Sequence, residues 1–220
     1  MSTTQYNINH MKMKHLVLSF LAALAMIAIS PVHMYAQNSS AKAKAILDKT
    51  AKVVGRSGGA SASFTMSNPN TGTVSGTIAI KGNKFNARTS QAIVWFNGKT
   101  QWTYMKANNE VNISNPTQAQ QQMMNPYTFI NIYKSGYNMT AKSAGGSNEV
   151  HLVAQNQSRS IQEMYITVNS KTSVPTAVKM KHNGKWYTIS IRNFAAKNQP
   201  NSIFSFNSKD YPKAEIVDLR

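Results

Sequence analysis

The sequence predicts one mainly β domain of the α+β class: an amphipathic helix, then a strongly curved antiparallel sheet that a short helical insertion interrupts. Three observations predict it. The hydrophobic period changes from three-to-four to two at Ala60. Asn-Gly pairs at 97–98 and 183–184 mark hairpins between alternating segments. Two Asn-Pro pairs, at 115–116 and 125–126, break the β pattern midway.

Ahead of these elements lies a leader. Lys12, Lys14 and His15 form a basic region, Leu16 to Ile29 is apolar apart from Ser19, Pro31 breaks the run, and small Ala36 follows. This is the pattern of a secretory signal peptide. The apolar run, about 14 residues, is too short to span a bilayer comfortably. Cleavage is expected after Ala36, so that 1–36 is the signal peptide and 37–220 is the mature domain. The mature chain is expected to be soluble, since no second hydrophobic segment follows.

Ser39 or Ser40 is the expected helix cap. Ala43, Ile46, Leu47, Thr50 and Val54 then recur at helical spacing with Lys42, Lys44, Lys49 and Lys52 between them, and Gly55 ends the run. From Ala60 the residues Ala62, Phe64 and Met66 share one strand face. A turn at 68–72 leads to a strand with Val74, Ile78 and Ile80. Phe85–Arg88, Ala92–Phe96, Trp102–Tyr104 and Glu110–Ser114 follow as strands. Two short helices are expected at Gln118–Met124 and Tyr127–Lys134, closed by Gly136 and by Gly145-Gly146. Strands resume at Val150–Ala154, Glu163–Asn169, Pro175–His182, Trp186–Phe194 and Ile203–Phe206. The tail from Tyr211 is proline-kinked and then alternates apolar with polar.

Composition excludes several chemistries. The chain has no cysteine, which removes disulfides, thiol catalysis, thiolate metal sites and acylation of the chain itself on cysteine. Of five histidines, only His151 and His182 survive removal of the leader, each alone in a strand. The carboxylates Asp48, Glu110, Glu149, Glu163, Asp210, Glu215 and Asp218 are dispersed, with no pair at metal-ligand spacing. The glycine-rich segment Gly55–Gly59 ends a helix, whereas a phosphate cradle opens one. No catalytic residue, metal site or cofactor is therefore expected. The mature chain carries +15, with its lysines scattered singly. Such charge attracts nucleic acid, anionic lipid or acidic partners; export makes nucleic acid the poorest of the three. What the middle of the chain does supply is aromatic and aliphatic surface, with Met105, Met123, Met124 and Met139 near the insertion. Flexible thioethers suit a surface that repacks around a ligand, although a dry sandwich core would use the same residue types.

The run Val94-Trp95-Phe96-Asn97-Gly98-Lys99-Thr100-Gln101-Trp102-Thr103-Tyr104 resembles a hairpin of the outer-membrane lipoprotein carrier (LolA) family, which there reads Asp-Gly-Lys-Thr-x-Trp-x-Tyr. Ser63-Phe64-Thr65, Gly76–Lys81, Asn125–Phe129 and Phe204-Ser205-Phe206 resemble other segments of that family in order and spacing. The resemblance implies an incomplete antiparallel β-barrel, a half-barrel, with a helical lid enclosing a hydrophobic cavity. It implies that Phe64, Ile78, Ile80, Phe85, Trp95, Trp102, Tyr104, Met123, Tyr127, Ile130 and Tyr133 line that cavity against acyl chains. It also implies a monomeric periplasmic carrier that takes acylated lipoproteins from an inner-membrane lipoprotein-releasing transporter to an outer-membrane receptor. A lipid- or lipoprotein-sensing module on the same half-barrel is the alternative. Two positions depart from the family. Asn97 stands where the family has Asp, and the arginine that helps hold the family's lid closed is missing near Gly82, the next being Arg88.

Overall fold

The computed structural model describes residues 32–68, 72–117, 120–121 and 131–220. Met1–Asn38 is one unit of the chain and Ser39–Arg220 another. The expected signal peptide up to Pro31, the turn at 69–71 and Met123, Tyr127 and Ile130 lie outside the described residues, as does most of the expected helical pair. Among the described residues no helix is long and apolar enough to cross a membrane.

Helix α1 spans Val32–Val54. Its second half is built from alanine and lysine, both good helix formers, and its buried residues Ala43, Leu47, Thr50 and Val54 recur at four, three and four. The helix runs through Ser39 and Ser40 instead of starting there. Ser39 Oγ accepts the amide of Ala141 at 3.1 Å. The reason is tertiary: a sheet edge presents outward N–H groups that need partners, and a serine on the crossing helix supplies one.

Twelve strands follow: β1 Ala60–Asn68, β2 Gly72–Lys81, β3 Lys84–Thr89, β4 Ala92–Phe96, β5 Gln101–Met105, β6 Glu110–Ser114, β7 Tyr137–Ala144, β8 Ser147–Ala154, β9 Ile161–Asn169, β10 Pro175–His182, β11 Lys185–Ala195 and β12 Glu215–Asp218. They form one sheet in the order β12-β6-β5-β4-β3-β2-β1-β11-β10-β9-β8-β7. Two meanders, β1–β6 and β7–β11, are fused by the pairing of β1 with β11. The end strands β7 and β12 do not pair, so the sheet is open. Irregular registers at Ser61/Ser63 in β1 and at Pro175/Ala177 and Lys181/His182 in β10 add to the twist. The result is a mainly β half-barrel with a helix on its concave side.

Three expectations need correction. β7 was not expected at all. Tyr137, Met139 and Ala141 alternate inward, but only Tyr137 is fully buried and the strand ends in small polar residues, so its apolar signal is faint. Ile203–Phe206 is not a strand; Asn201–Phe204 is a 3-10 turn whose Phe204 is completely buried. The tail, in contrast, contributes a strand, with β12 parallel to β6. In the insertion, Thr117 caps the start: its amide donates to Gln120 Oε1 at 2.8 Å, and the Gln120 amide points back to Thr117 Oγ1 at 3.4 Å. Ile132–Lys134 is a 3-10 turn.

Two buried clusters divide the concave side. One joins Ala43 and Leu47 of α1 to Tyr133, Tyr137 and the inward residues of β8–β10, including Leu152, Met164 and Val168. The other joins Val54 to Ala60, Ile80, Phe85 and Phe96. The middle of the helix thus packs on one half of the sheet and its C-terminal end on the other.

Candidate functional site: an apolar cavity under the helix

Between the two clusters lies a cavity of about 330 Å³. Leu47, Thr50 and Val54 of α1 form one wall. The sheet supplies Ala62, Phe64 and Met66 from β1, Ile78 and Ile80 from β2, Phe85 and Ala87 from β3, Val94 from β4, Ile166 from β9, Val178 and Met180 from β10, and Ile189, Ile191 and Phe194 from β11. Strand alternation explains the set, because residues two apart share a face. Registers then align these faces: Phe64 stands opposite Ile191, Met66 opposite Ile189, and Ile78 opposite both Ala62 and Ala87.

Among the described residues, no ionisable one lines this cavity. Of the lining residues only Thr50 and Ser61 have polar side chains, and the Thr50 hydroxyl donates to the Ile46 carbonyl at 3.0 Å. The described wall of the site is therefore almost wholly apolar surface.

Phe64, Ile78, Ile80 and Phe85 sit in the cavity wall. Trp95, Trp102 and Tyr104 do not. Trp95 packs edge-on against Phe206 and Tyr211, with ring centroids 5.5 and 5.6 Å away, and Tyr104 lies 4.7 Å from Tyr211. Trp102 stands opposite Trp95, on the same face. These three aromatics belong to the face of β4–β5 away from the cavity, and the segment after β11 covers it. Tyr133 is buried in the other cluster, where its hydroxyl donates to Asp48 of α1. It fastens the end of the insertion to the helix and does not line the cavity. The wall residues outside the expected set are Leu47, Thr50 and Val54 of the helix, Ala60, Ser61, Ala62 and Met66 of β1, Ala87 of β3, Val94 of β4 and the β9–β11 side chains. Their alternation was visible, but nothing local says that β11 pairs with β1.

Near Gly82 the backbone is left-handed (φ +57) and faces open space. Arg88 lies on the Trp95 face, where its Nε donates to Asn86 Oδ1 at 2.9 Å. The end of the helix is held differently. Arg56 Nη1 donates to the Gly59 carbonyl at 3.1 Å, the Gln199 amide to the Gly58 carbonyl at 2.8 Å, and Lys81 Nζ to the Gln199 carbonyl at 3.0 Å.

The charged groups lie elsewhere. Lys42, Lys44, Lys49 and Lys52 are exposed on α1. Lys44 pairs with Asp48 at 2.8 Å, and its hydrogen bond, with that from Tyr133, holds the Asp48 carboxyl below the usual range. Burial, reinforced by Asp48, pushes the Tyr133 hydroxyl well up. His151 stacks on Tyr165 at 4.2 Å and meets Glu163 at 2.8 Å. Burial alone would raise Glu163, but hydrogen bonds from His151 and Tyr165 outweigh it and lower the carboxyl. His182 Nδ1 contacts the Ser160 carbonyl at 2.7 Å. Neither histidine lines the cavity, and among the described residues no group of three or more metal-ligand side chains occurs.

The profile of the outer membrane lipoprotein carrier protein LolA family matches residues 32–184. The chain belongs to this family. No curated protein matches it. Among solved structures, an uncharacterized conserved protein of Thermus thermophilus is 14% identical with a TM-score of 0.55, covering 80% of this chain and 99% of that one. A LolA superfamily protein of Nitrosomonas europaea is 11% identical (TM-score 0.42, 74% of this chain, 97% of that one). LprF of Mycobacterium bovis is 10% identical (TM-score 0.43, 73% and 96%). The family profile thus accords with the LolA-like open half-barrel and its helical lid, and the Thermus protein shares the fold.

Proposed function

We propose that this protein is a periplasmic carrier that holds the acyl chains of lipoproteins in the cavity under α1 and ferries them from the inner to the outer membrane. The observation that carries the reading is the cavity: about 330 Å³, walled by both halves of the sheet and by the helix, with no ionisable group among the described residues that line it. A family named for lipoprotein carriage adds support. The partners would be acylated lipoproteins, an inner-membrane transporter that releases them and an outer-membrane receptor. Delivery to the periplasm would use residues 1–36 as a cleaved signal.

The cavity is partly open to solvent, so a ligand can enter it. An acyl segment of about ten methylenes gains roughly 8 kcal/mol by transfer at ~0.8 kcal/mol each, and the cost of association is subtracted from that, so the affinity is about micromolar at best. Such a ligand is held through transit and released when the helix moves, with no covalent step.

The test is a fluorescent fatty-acid titration on wild type and Ile80→Asp, with thermal melts on both and mass spectrometry of lipid that co-purifies with the protein. Ile80 is 6% exposed and lines the cavity, so an unpaired carboxylate there resists desolvation. Saturable binding by wild type, lost in a variant that still melts cooperatively, supports the carrier. Absence of any acyl binding by wild type refutes it.

A further inference from the structure

One side of α1 is buried through Ala43, Leu47, Thr50 and Val54, and the side turned away from the sheet carries Lys42, Lys49 and Lys52, all exposed. At about 100° per residue the three lysines fall within an arc of about 80°, so they form one stripe along the helix. None of the three forms an ion pair among the described residues. Asp48, the only acid in α1, is engaged by Lys44 and Tyr133. Like charges one turn apart, such as Lys49 and Lys52, weaken a helix slightly. The stripe therefore adds nothing to the helix itself, and an external anion would relieve its repulsion.

The acids lie elsewhere. Four of the seven carboxylates, Glu110, Asp210, Glu215 and Asp218, sit in β6, in β12 or in the turn that leads to β12, at one edge of the sheet. Neither buried cluster that α1 joins includes a residue of those two strands. The residues between the lysines define the kind of partner. Ala41 and Ala45 are the exposed neighbours of the stripe, and it holds no aromatic residue or arginine. Protein interfaces are enriched in Tyr, Trp and Arg and depleted in Lys and Ala. A lysine is a hydrated point charge on a flexible stem, which suits phosphates without a fixed arrangement. The stripe thus fits a surface of mobile phosphates better than a folded acidic protein. Since the apolar side of α1 is already buried in the protein, the helix has little to insert into hydrocarbon.

We infer that the outward face of α1 docks the protein on a bilayer surface rich in anionic phospholipid; the inference goes beyond the carrier reading and does not depend on it. The contact is peripheral: ammonium groups meet lipid phosphates, and the chain stays out of the hydrocarbon. The opposite side of the same helix walls the cavity through Leu47, Thr50 and Val54. Docking therefore sets the cavity about one helix diameter, ~10 Å, from the headgroups. Each lysine at an anionic surface strengthens binding roughly fivefold, so the three together contribute about a hundredfold.

The experiment sediments the purified protein with vesicles of phosphatidylcholine, either alone or with about 30% phosphatidylglycerol, at low salt and at roughly 0.5 M salt, where screening confines exposed charges to about 4 Å. Wild type is compared with a helix variant, Lys42→Gln with Lys49→Gln and Lys52→Gln, and with a turn variant, Lys99→Gln with Lys171→Gln and Lys185→Gln. The second removes the same charge from exposed positions at three strand turns. Glutamine keeps the helix propensity of lysine, and melts verify that both variants fold. Wild type should bind only the anionic vesicles, and high salt should release it. The helix variant should bind about a hundredfold more weakly, and the turn variant within about fivefold of wild type. Equal affinity of the two variants overturns the docking face, as does binding to both kinds of vesicle or binding that survives high salt. Soluble polyglutamate that binds wild type through the same three lysines, while anionic vesicles do not, overturns the bilayer in favour of an acidic protein. Each of these outcomes leaves fatty-acid binding in the cavity, and with it the carrier reading, untouched.

Discussion

The Tyr133–Asp48 hydrogen bond ties the segment after the insertion to the middle of α1. Tyr133 is 3% exposed, whereas the Asp48 side chain is 41% exposed, so solvent screens part of its charge. Tyr133→Phe keeps the packing, removes the bond, and should cost about 1 kcal/mol in chemical denaturation. The pH dependence follows from the directions of both shifts. The folded-state pKa of Asp48 is depressed, so its contribution is full above the ordinary 3.8 and lost as pH falls through the lower folded value. The folded-state pKa of Tyr133 is raised, so its contribution is full below the ordinary 10.0 and is lost as pH rises beyond it. Wild type should therefore lose stability at both extremes more steeply than Tyr133→Phe, as melts across pH will report.

At the scale of elements, two strand features control the sheet. The β4–β5 hairpin loop is held by the Asn97 side chain, whose Oδ1 accepts the amides of Lys99 and Thr100 at 3.0 and 2.9 Å. Only the oxygen matters there, which explains why the family's aspartate is an equivalent choice. Asn97→Asp should stay within about 0.5 kcal/mol of wild type, while Asn97→Ala loses about 1 kcal/mol. Gly76 in β2 stands opposite Phe64, and a Cβ there would lie 3.0 Å from the Phe64 ring and 2.2 Å from the Arg88 carbonyl. Gly76 lets the ring lie over β2 and lets β3 approach. Gly76→Ala should therefore cost about 2 kcal/mol and weaken fatty-acid binding, because it displaces a cavity residue.

For the molecule as a whole, the division into two buried clusters makes stability and ligand binding separable. Leu152 is completely buried in the β8–β10 cluster and is not a cavity residue. Leu152→Ala should cost about 3 kcal/mol, read by denaturant melts, with the midpoint of probe binding unchanged. Ligand acts on both clusters because the cavity touches both. A ligand at about a hundred times its Kd adds roughly 2.7 kcal/mol, which for a domain of this size raises the melting temperature by about 5–10 °C. An unchanged melting temperature under saturating fatty acid would contradict a cavity in contact with both halves.

Sequence alone determined the kind of most elements, though not of β7 or of the turn at Asn201–Phe204. Helical spacing from Ala43 to Val54, alternation at Phe64, Ile78 and Ile80, and the turn at Asn183-Gly184, whose φ values are +48 and +76, are local properties, and local forces decide them. Tertiary structure decided which face of each strand is concave. Period two says that Trp95 and Val94 point to opposite sides, yet both faces of β4 are apolar here: Val94 faces the cavity, and Trp95 meets Phe206 and Tyr211 from more than a hundred residues downstream. The same holds for the cavity itself. It exists because β1 pairs with β11 across the chain, bringing Phe64 to Ile191, and because the helix bridges two clusters without filling the space between them. Pairing between distant segments is set by the total apolar surface they bury together, a quantity that no local window of sequence contains.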